Sequence, residues 1–560
     1  MRGSSEPGQR FLPGDRPSVL LAGIYVTALF LIGRMAAKLL SKITLPIPIN
    51  YGEGPILDQV RKIAELRSPY PPLGDNLPYN IANYPPLYHL LVVPWHWIMG
   101  PSFLIGRLIS GTAFIATAAM LSQMATAIAG SRLAGFISAL CFLSHPDILR
   151  WGFSMKVDSL ALFFSVLALF LAMHGSGRWQ RVLLVASITA LAGFTRQTSC
   201  FFSLGVIGSW YLLKAGKKIS LLFMVLSLIL ISMLYVFLYL LTNTASHFHL
   251  VIANINQFYW VQLTSQLRFY FFHGFSVFFV ALLGIPVASR LYPKMRPWLL
   301  FSCIAALPSA LASIKMGSAV NYFFELHTVL ALVGGLLFVK MRWQLFRVLF
   351  LVLLSLPASV VTPHSSAKNA RESTINRANA KKLIRMVKSS AGPILSDDMM
   401  GIEPYLGRPL SYQPFEMLQL KSAGIWQEEG ILKLIYKRKF KMIILNLPPR
   451  RMPLFIVDRW SARQIALMAR CYEFGGRLCG QFLFFPRGEG CIPPSSIKFP
   501  PLRRLYRTKV RFERQSDTFS FHDFLRHRAG TPYFNRLHKN EKKLKTTYNR
   551  ATVTIFSKAY

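Results

Sequence analysis

Charged residues are scarce in the first two thirds of this chain, and the acids there gather in a few short stretches. The first is YGEGPILDQV, residues 51–60. It sets Glu53 between two glycines and Asp58 five residues later. A carboxylate on a loop can take the proton of a hydroxyl while that oxygen forms a new bond to carbon. The flanking glycines let the backbone approach a ligand closely. The competing reading is that these acids serve the first turn of a helix started by Pro55, where negative charge is favoured. Asp58 fits that role better than Glu53, so Glu53 is the first candidate base and Asp58 the second.

Three further stretches offer cations beside polar groups. In HPDILRWGFSMKVDS (145–159), Lys156 suits a phosphate as a point charge. Asp158 would orient Lys156 or bind sugar hydroxyls. A mere Lys156–Asp158 pair is disfavoured, because residues two apart on a helix do not face each other. In GFTRQTS (193–199), the planar fork of Arg196 fits a phosphate bidentately, with Gln197 beside it; the alternative is a snorkelling arginine. In KMGSAVNYFFE (315–325), Lys315 is a third candidate phosphate ligand. Glu325 enters an apolar helix one turn after Asn321 and needs a partner, whether a ligand or a neighbouring helix. Asn254, Asn256, Gln257 and Gln262 form a polar loop suited to hydroxyls. His247 and His249 lie two apart and share no helix face, so they do not suggest a metal.

These stretches interrupt long apolar runs. The chain has 560 residues, 52% hydrophobic and only 16% charged. Soluble domains carry about 25% charged residues. Runs this apolar predict a polytopic α-helical membrane protein with about 11 spans. The expected spans are 18–40, 103–129, 133–150, 157–173, 182–195, 198–213, 219–242, 269–289, 297–314, 323–339 and 343–361. Residues 87–99 are short and suit a helix at the interface anchored by Trp95 and Trp97. Segments 182–195 and 198–213 suit a hairpin. The basic N-terminus and the apolar run after it read as an uncleaved first span.

With a cytoplasmic N-terminus, the basic loops fall inside at each inner turn, as the positive-inside rule requires. Arg34 and Lys38 are exceptions, near the outer end of the first span. This orientation gathers the polar stretches on the outer face, with the first outer loop at 41–86. The membrane domain covers 1–362. After it, alternating strand and helix patterns at 363–492 predict a small extracytoplasmic α/β domain. Residues 493–560 are a basic tail with little ordering pattern.

The net charge of +41 is read as loop and membrane-surface charge, with anionic lipid head groups near the tail and no nucleic acid partner. Cys141, Cys200 and Cys303 sit in apolar runs. Cys471, Cys479 and Cys491 match no zinc spacing and allow one disulfide with one thiol left over. No cofactor is indicated; a divalent metal is left open without a ligand pattern to support it.

Together the pieces resemble the membrane glycosyltransferases of the GT-C architecture, nearest to the family 39-like group of protein O-mannosyltransferases and aminoarabinose transferases. The resemblance rests on YGEGPILDQ, YPPLYHLL, GRLIS (106–110), KVDSLALFF (156–164), FTRQ (194–197) and GSAVNYFFE (317–325), and spans roughly 15–340. It implies a polyprenyl-phosphate sugar donor, a glycan, lipid or protein acceptor, inversion at the anomeric carbon, and Glu53 as the base, in a bacterial plasma membrane. Many relatives carry two adjacent acids where this chain has Gly52–Glu53. They often carry lysine where it has Tyr84, so Lys156, Arg196 or Lys315 must meet the phosphate. Asp158, Gln197, Asn321, Glu325 and Tyr84 are left for sugar or acceptor. A transporter of lipid-linked sugars is the alternative, but the chain shows neither repeated halves nor broken midplane helices.

Overall fold

The computed structural model describes residues 19–491 apart from 75, 176, 255, 361–374 and 450–458. The expected basic tail, 493–560, lies outside the described residues.

The helices run in chain order as α1 (Val19–Ile43), α2 (Glu53–Ala64), α3 (Leu87–Met99), α4 (Phe103–Ala129), α5 (Arg132–Ser144), α6 (Pro146–Gly152), α7 (Val157–Met173), α8 (Trp179–Thr195), α9 (Ser199–Lys214) and α10 (Lys217–Leu241). Next come α11 (Ala245–Leu250), α12 (Trp260–His273), α13 (Phe275–Leu291), α14 (Arg296–Leu311), α15 (Phe324–Phe338) and α16 (Gln344–Val360). Among the described residues, five helices are long and apolar enough to cross a membrane, or six if the bent pair α6–α7 counts as one span. The chain is therefore an integral membrane protein, but the expectation of about 11 spans is not reached. Several of the expected spans are shorter apolar helices, such as Arg132–Ser144 and Trp179–Thr195.

Two expected spans are broken. The run 133–150 stops at His145, which is extended because Pro146 follows it. The run 269–289 is interrupted at Gly274. The bend between α6 and α7 is 97°, and it sets Lys156 and Asp158 at a corner. α15 is the buried centre of the bundle. Its Gly335 approaches the Ala134 carbonyl of α5 so closely that a Cβ would lie 2.2 Å from it. Small residues permit such helix contacts.

Beyond the bundle follow α17 (Arg377–Ser389), β1 (Ile394–Ser396), α18 (Ile402–Tyr405), α19 (Pro414–Ser422), α20 (Glu429–Tyr436), β2 (Met442–Leu445), α21 (Ala462–Cys471), β3 (Tyr472–Leu478) and β4 (Gln481–Pro486). The sheet order is β1-β2-β4-β3, with β1 and β2 parallel and the other pairs antiparallel. Helices thus alternate with the strands of this small sheet. Cys471 and Cys491 form a disulfide and Cys479 remains a buried thiol.

The first loop and this α/β region share their cores. Tyr79 and Ile81 pack with Tyr412, Trp426 and Trp460, and Leu45 and Ile47 pack with Leu383 and Val387. The Tyr79 amide donates to the Ser411 carbonyl, and the Gln413 amide to that of Tyr79. The α/β region thus sits on the loop that carries Glu53.

Candidate active site

Glu53 opens α2 and is fully buried. Its carboxylate faces the guanidinium of Arg107 from α4, at 2.9 Å from Nε and 2.6 Å from the terminal nitrogen. The amides of Ile49 and Met155 add one donor to each oxygen, both at 2.8 Å. Arg107 also donates to the carbonyls of Lys42, Ile43, Leu45 and Ile47. Arginine's rigid fork suits such many-sided capture. The pair therefore clasps the start of the first loop to α4 and to the α6–α7 corner. A carboxylate with two donors on each oxygen and no exposed surface offers an acceptor hydroxyl nothing to bind. In this geometry Glu53 is engaged as a structural clasp. The GRLIS stretch supplies Arg107, whose partner was invisible in sequence.

Asp58 is likewise enclosed. Arg61 and Lys62 lie at 2.9 and 3.0 Å, and the Leu410 amide donates at 3.1 Å. It ties α2 to the α/β region.

A second cluster forms at the α6–α7 corner. Arg196, at the end of α8, lies 3.3 Å from Asp158 and 3.6 Å from Glu325. Its guanidinium also covers the ring of Tyr322. Asn321 donates to Asp158 Oδ1 at 2.8 Å, and Ser309 to Glu325 at 2.9 Å. Arg196 is thus held by two carboxylates and is not a free phosphate fork. Asp158 Oδ2, Asn321 Oδ1 and Asn83 Oδ1 are buried without a hydrogen-bond donor among the described residues. Buried polar atoms are nearly always paired, so these orphans need explaining.

Lys156 lies against this cluster, 7% exposed. Its ammonium rests 4.9 Å from the centre of the Trp151 ring. A Cβ on residue 52 would lie 1.8 Å from Lys156 Nζ. Gly52 therefore makes the notch that the ammonium fills. Asp158, Glu53 and Glu416 act on it electrostatically, while no carboxylate is in ion-pair contact with it among the described residues. Lys315, in the loop before α15, has no carboxylate partner among them either. Burial chiefly, with Arg196 nearby, lowers its pKa to about 8.

The α/β region adds a group that sequence reasoning missed. Glu416 of α19 accepts from the Tyr51 hydroxyl at 2.6 Å and from the Asn83 side chain at 3.1 Å. Burial raises its pKa. It acts electrostatically on Lys156, Lys315 and Tyr84. The one sequence signal was an acid inside the apolar run PFEMLQL. Tyr84 sits between Asp158 and Glu416, its hydroxyl pKa raised mainly by burial and then by Asp158.

Other candidates are loop braces. Gln197 and Asn254 donate to the Asn83 carbonyl, Asn256 to that of Met316, and Gln262 to that of Ser318. His145 caps α6 and stacks on Tyr270. Among the described residues, no three His, Cys, Asp or Glu side chains could hold a metal.

No family model matches the sequence, and no curated protein matches it. Solved structures do. Apo ArnT from Cupriavidus metallidurans aligns with a TM-score of 0.55 at 12% identity, over 84% of this chain and 99% of that one. The same protein bound to undecaprenyl phosphate gives 0.50 at 13% identity, over the same shares. AglB, the oligosaccharyltransferase of Archaeoglobus fulgidus in complex with an inhibitory peptide and a dolichol-phosphate, gives 0.43 at 11%, over 84% and 74%. The chain has the fold of ArnT, the GT-C architecture that its motifs resemble.

Proposed function

We propose that this protein transfers a sugar from a polyprenyl-phosphate carrier to an acceptor hydroxyl, with inversion. One observation carries the reading. A buried ammonium, Lys156, out of ion-pair contact among the described residues, lies in the field of Asp158, and Asp158 Oδ2, Asn321 Oδ1 and Asn83 Oδ1 are buried acceptors without donors among those residues. A glycosyl phosphate is the complement of that set, with an anion for the cation and hydroxyl protons for the acceptors.

In this reading Lys156 and Lys315 hold the phosphate. Asp158 takes the acceptor's hydroxyl proton on Oδ2 while the acceptor oxygen bonds to the anomeric carbon. The bond from that carbon to the phosphate oxygen breaks, and the lipid phosphate leaves with the electron pair toward the lysines. Arg196 holds Asp158 in place through Oδ1. Glu416 and Tyr84 close the sugar site from the α/β side. Glu53 and Asp58 hold the loop.

The Cys471–Cys491 disulfide supports an extracytoplasmic α/β region, since disulfides persist in oxidising compartments. Protease added to intact spheroplasts should cleave that region; full protection would reverse the topology. The test of function is incubation of purified protein with labelled polyprenyl-phosphate sugars and candidate acceptors. Label should move to an acceptor. Failure to bind or turn over any such donor would overturn the proposal.

A further inference from the structure

The helix α17 (Arg377–Ser389) has two unlike sides. Ala380, Leu383 and Val387 are buried and share a core with Leu45 and Ile47, directly beyond the end of α1. On the opposite side Arg377, Lys381, Lys382, Arg385 and Lys388 are all exposed. The helix contains no acid, and among the described residues none of these five cations is in ion-pair contact. The helix is fixed in place. Asn376 caps its start, and Arg408 donates to the carbonyls of Val387, Lys388 and Ser390 at its end. The basic face is therefore a rigid surface of unneutralised charge.

Its position identifies what it meets. α1 is one of the helices able to cross a membrane, and its only charged residues are Arg34, Lys38 and Lys42. Their spacing of four puts them on one stripe in the half of α1 that leads to α17. Arg34 and Lys38 are also the exceptions to the positive-inside pattern. Cations at the end of a span lie at head-group level, where anionic lipid attracts them.

We propose that α17 is a docking face for the anionic phosphate head groups of the bilayer leaflet beside the first loop. This contact presses the α/β region, and with it Glu416, onto the membrane surface. It depends on the membrane placement of α1 and not on the sugar-transfer reading.

The test uses the full chain in nanodiscs of zwitterionic lipid, with or without phosphatidylglycerol, followed by hydrogen exchange. Phosphatidylglycerol should slow amide exchange over 377–389 by on the order of fivefold, and high salt should restore it. The triple variant Lys381→Gln, Lys382→Gln, Arg385→Gln should lose the difference, while exchange of β2 in the same sample reports that the fold is intact. Equal exchange with and without the anionic lipid would overturn the proposal. Slowing by a soluble acidic polypeptide but not by phosphatidylglycerol would also overturn it and make the face a protein-binding one.

Discussion

Two buried charge clusters flank the same corner of this molecule and differ in how completely they are satisfied. In the Glu53–Arg107 clasp, each carboxylate oxygen has two donors, and the guanidinium is spread over Glu53 and four carbonyls. Around the Asp158 cluster, Asp158 Oδ2, Asn321 Oδ1 and Asn83 Oδ1 have no donor, and Lys156 makes no ion-pair contact among the described residues. The first arrangement is closed and fixes architecture. The second leaves acceptors unused, which in the proposed reading a glycosyl phosphate fills. Burial and charge alone do not separate the two; the count of unused lone pairs and protons does.

The comparison breaks first at Arg107. Arg107→Ala leaves the Glu53 carboxylate in a dry space without its guanidinium partner and removes a donor from four backbone carbonyls. Stability should fall by about 3–5 kcal/mol, read as loss of folded protein in thermal melting. Glu53→Gln should also melt early. If it instead melts like the parent and is inactive, Glu53 meets the acceptor and the clasp is not merely structural.

Asp158→Asn tests the open cluster. It keeps the shape and the Oδ1 partners but cannot take a proton, so turnover should fall by about 10²–10⁴ with donor binding retained. Glu416→Gln should cost less. The reverse order would move the base to Glu416.

Lys156→Met removes the ammonium and keeps the stem. Donor affinity should drop more than about tenfold, as expected for loss of a charged hydrogen bond worth about 1.5–3 kcal/mol. Unchanged affinity would leave the unpaired cation without a ligand.

Lys315 gives a pH signature. It is charged below its lowered pKa of about 8 and neutral above it. Donor affinity should therefore weaken as pH rises through about 8, and Lys315→Arg should move that fall to higher pH. A flat profile across this range would remove Lys315 from the phosphate site.

The smallest effect is at Gly52. Gly52→Ala places a methyl group in the notch filled by Lys156 Nζ. The flexible lysine can move aside, so the fold should survive while donor affinity falls by roughly threefold, about 0.6 kcal/mol. An early melting transition would make the notch a packing site.

Much of the frame was legible in the sequence. The apolar runs, the alternating elements after Thr362 and the single disulfide are local or compositional patterns, and they survive folding because each depends on nearby residues. The same holds for which stretches matter, since polar groups in apolar runs stay costly wherever they fold. Roles were not legible. Glu53 between two glycines reads as exposed and reactive, yet Arg107, 54 residues away, occupies it completely. Arg196 reads as a phosphate fork, yet Asp158 and Glu325 hold it. Glu416 reads as part of a separate domain, yet it reaches Tyr51 across 365 residues. A charged group's chemistry depends on which partners fill its lone pairs. Only tertiary structure assigns partners that are distant in sequence, so it decided which acid is closed and which remains open.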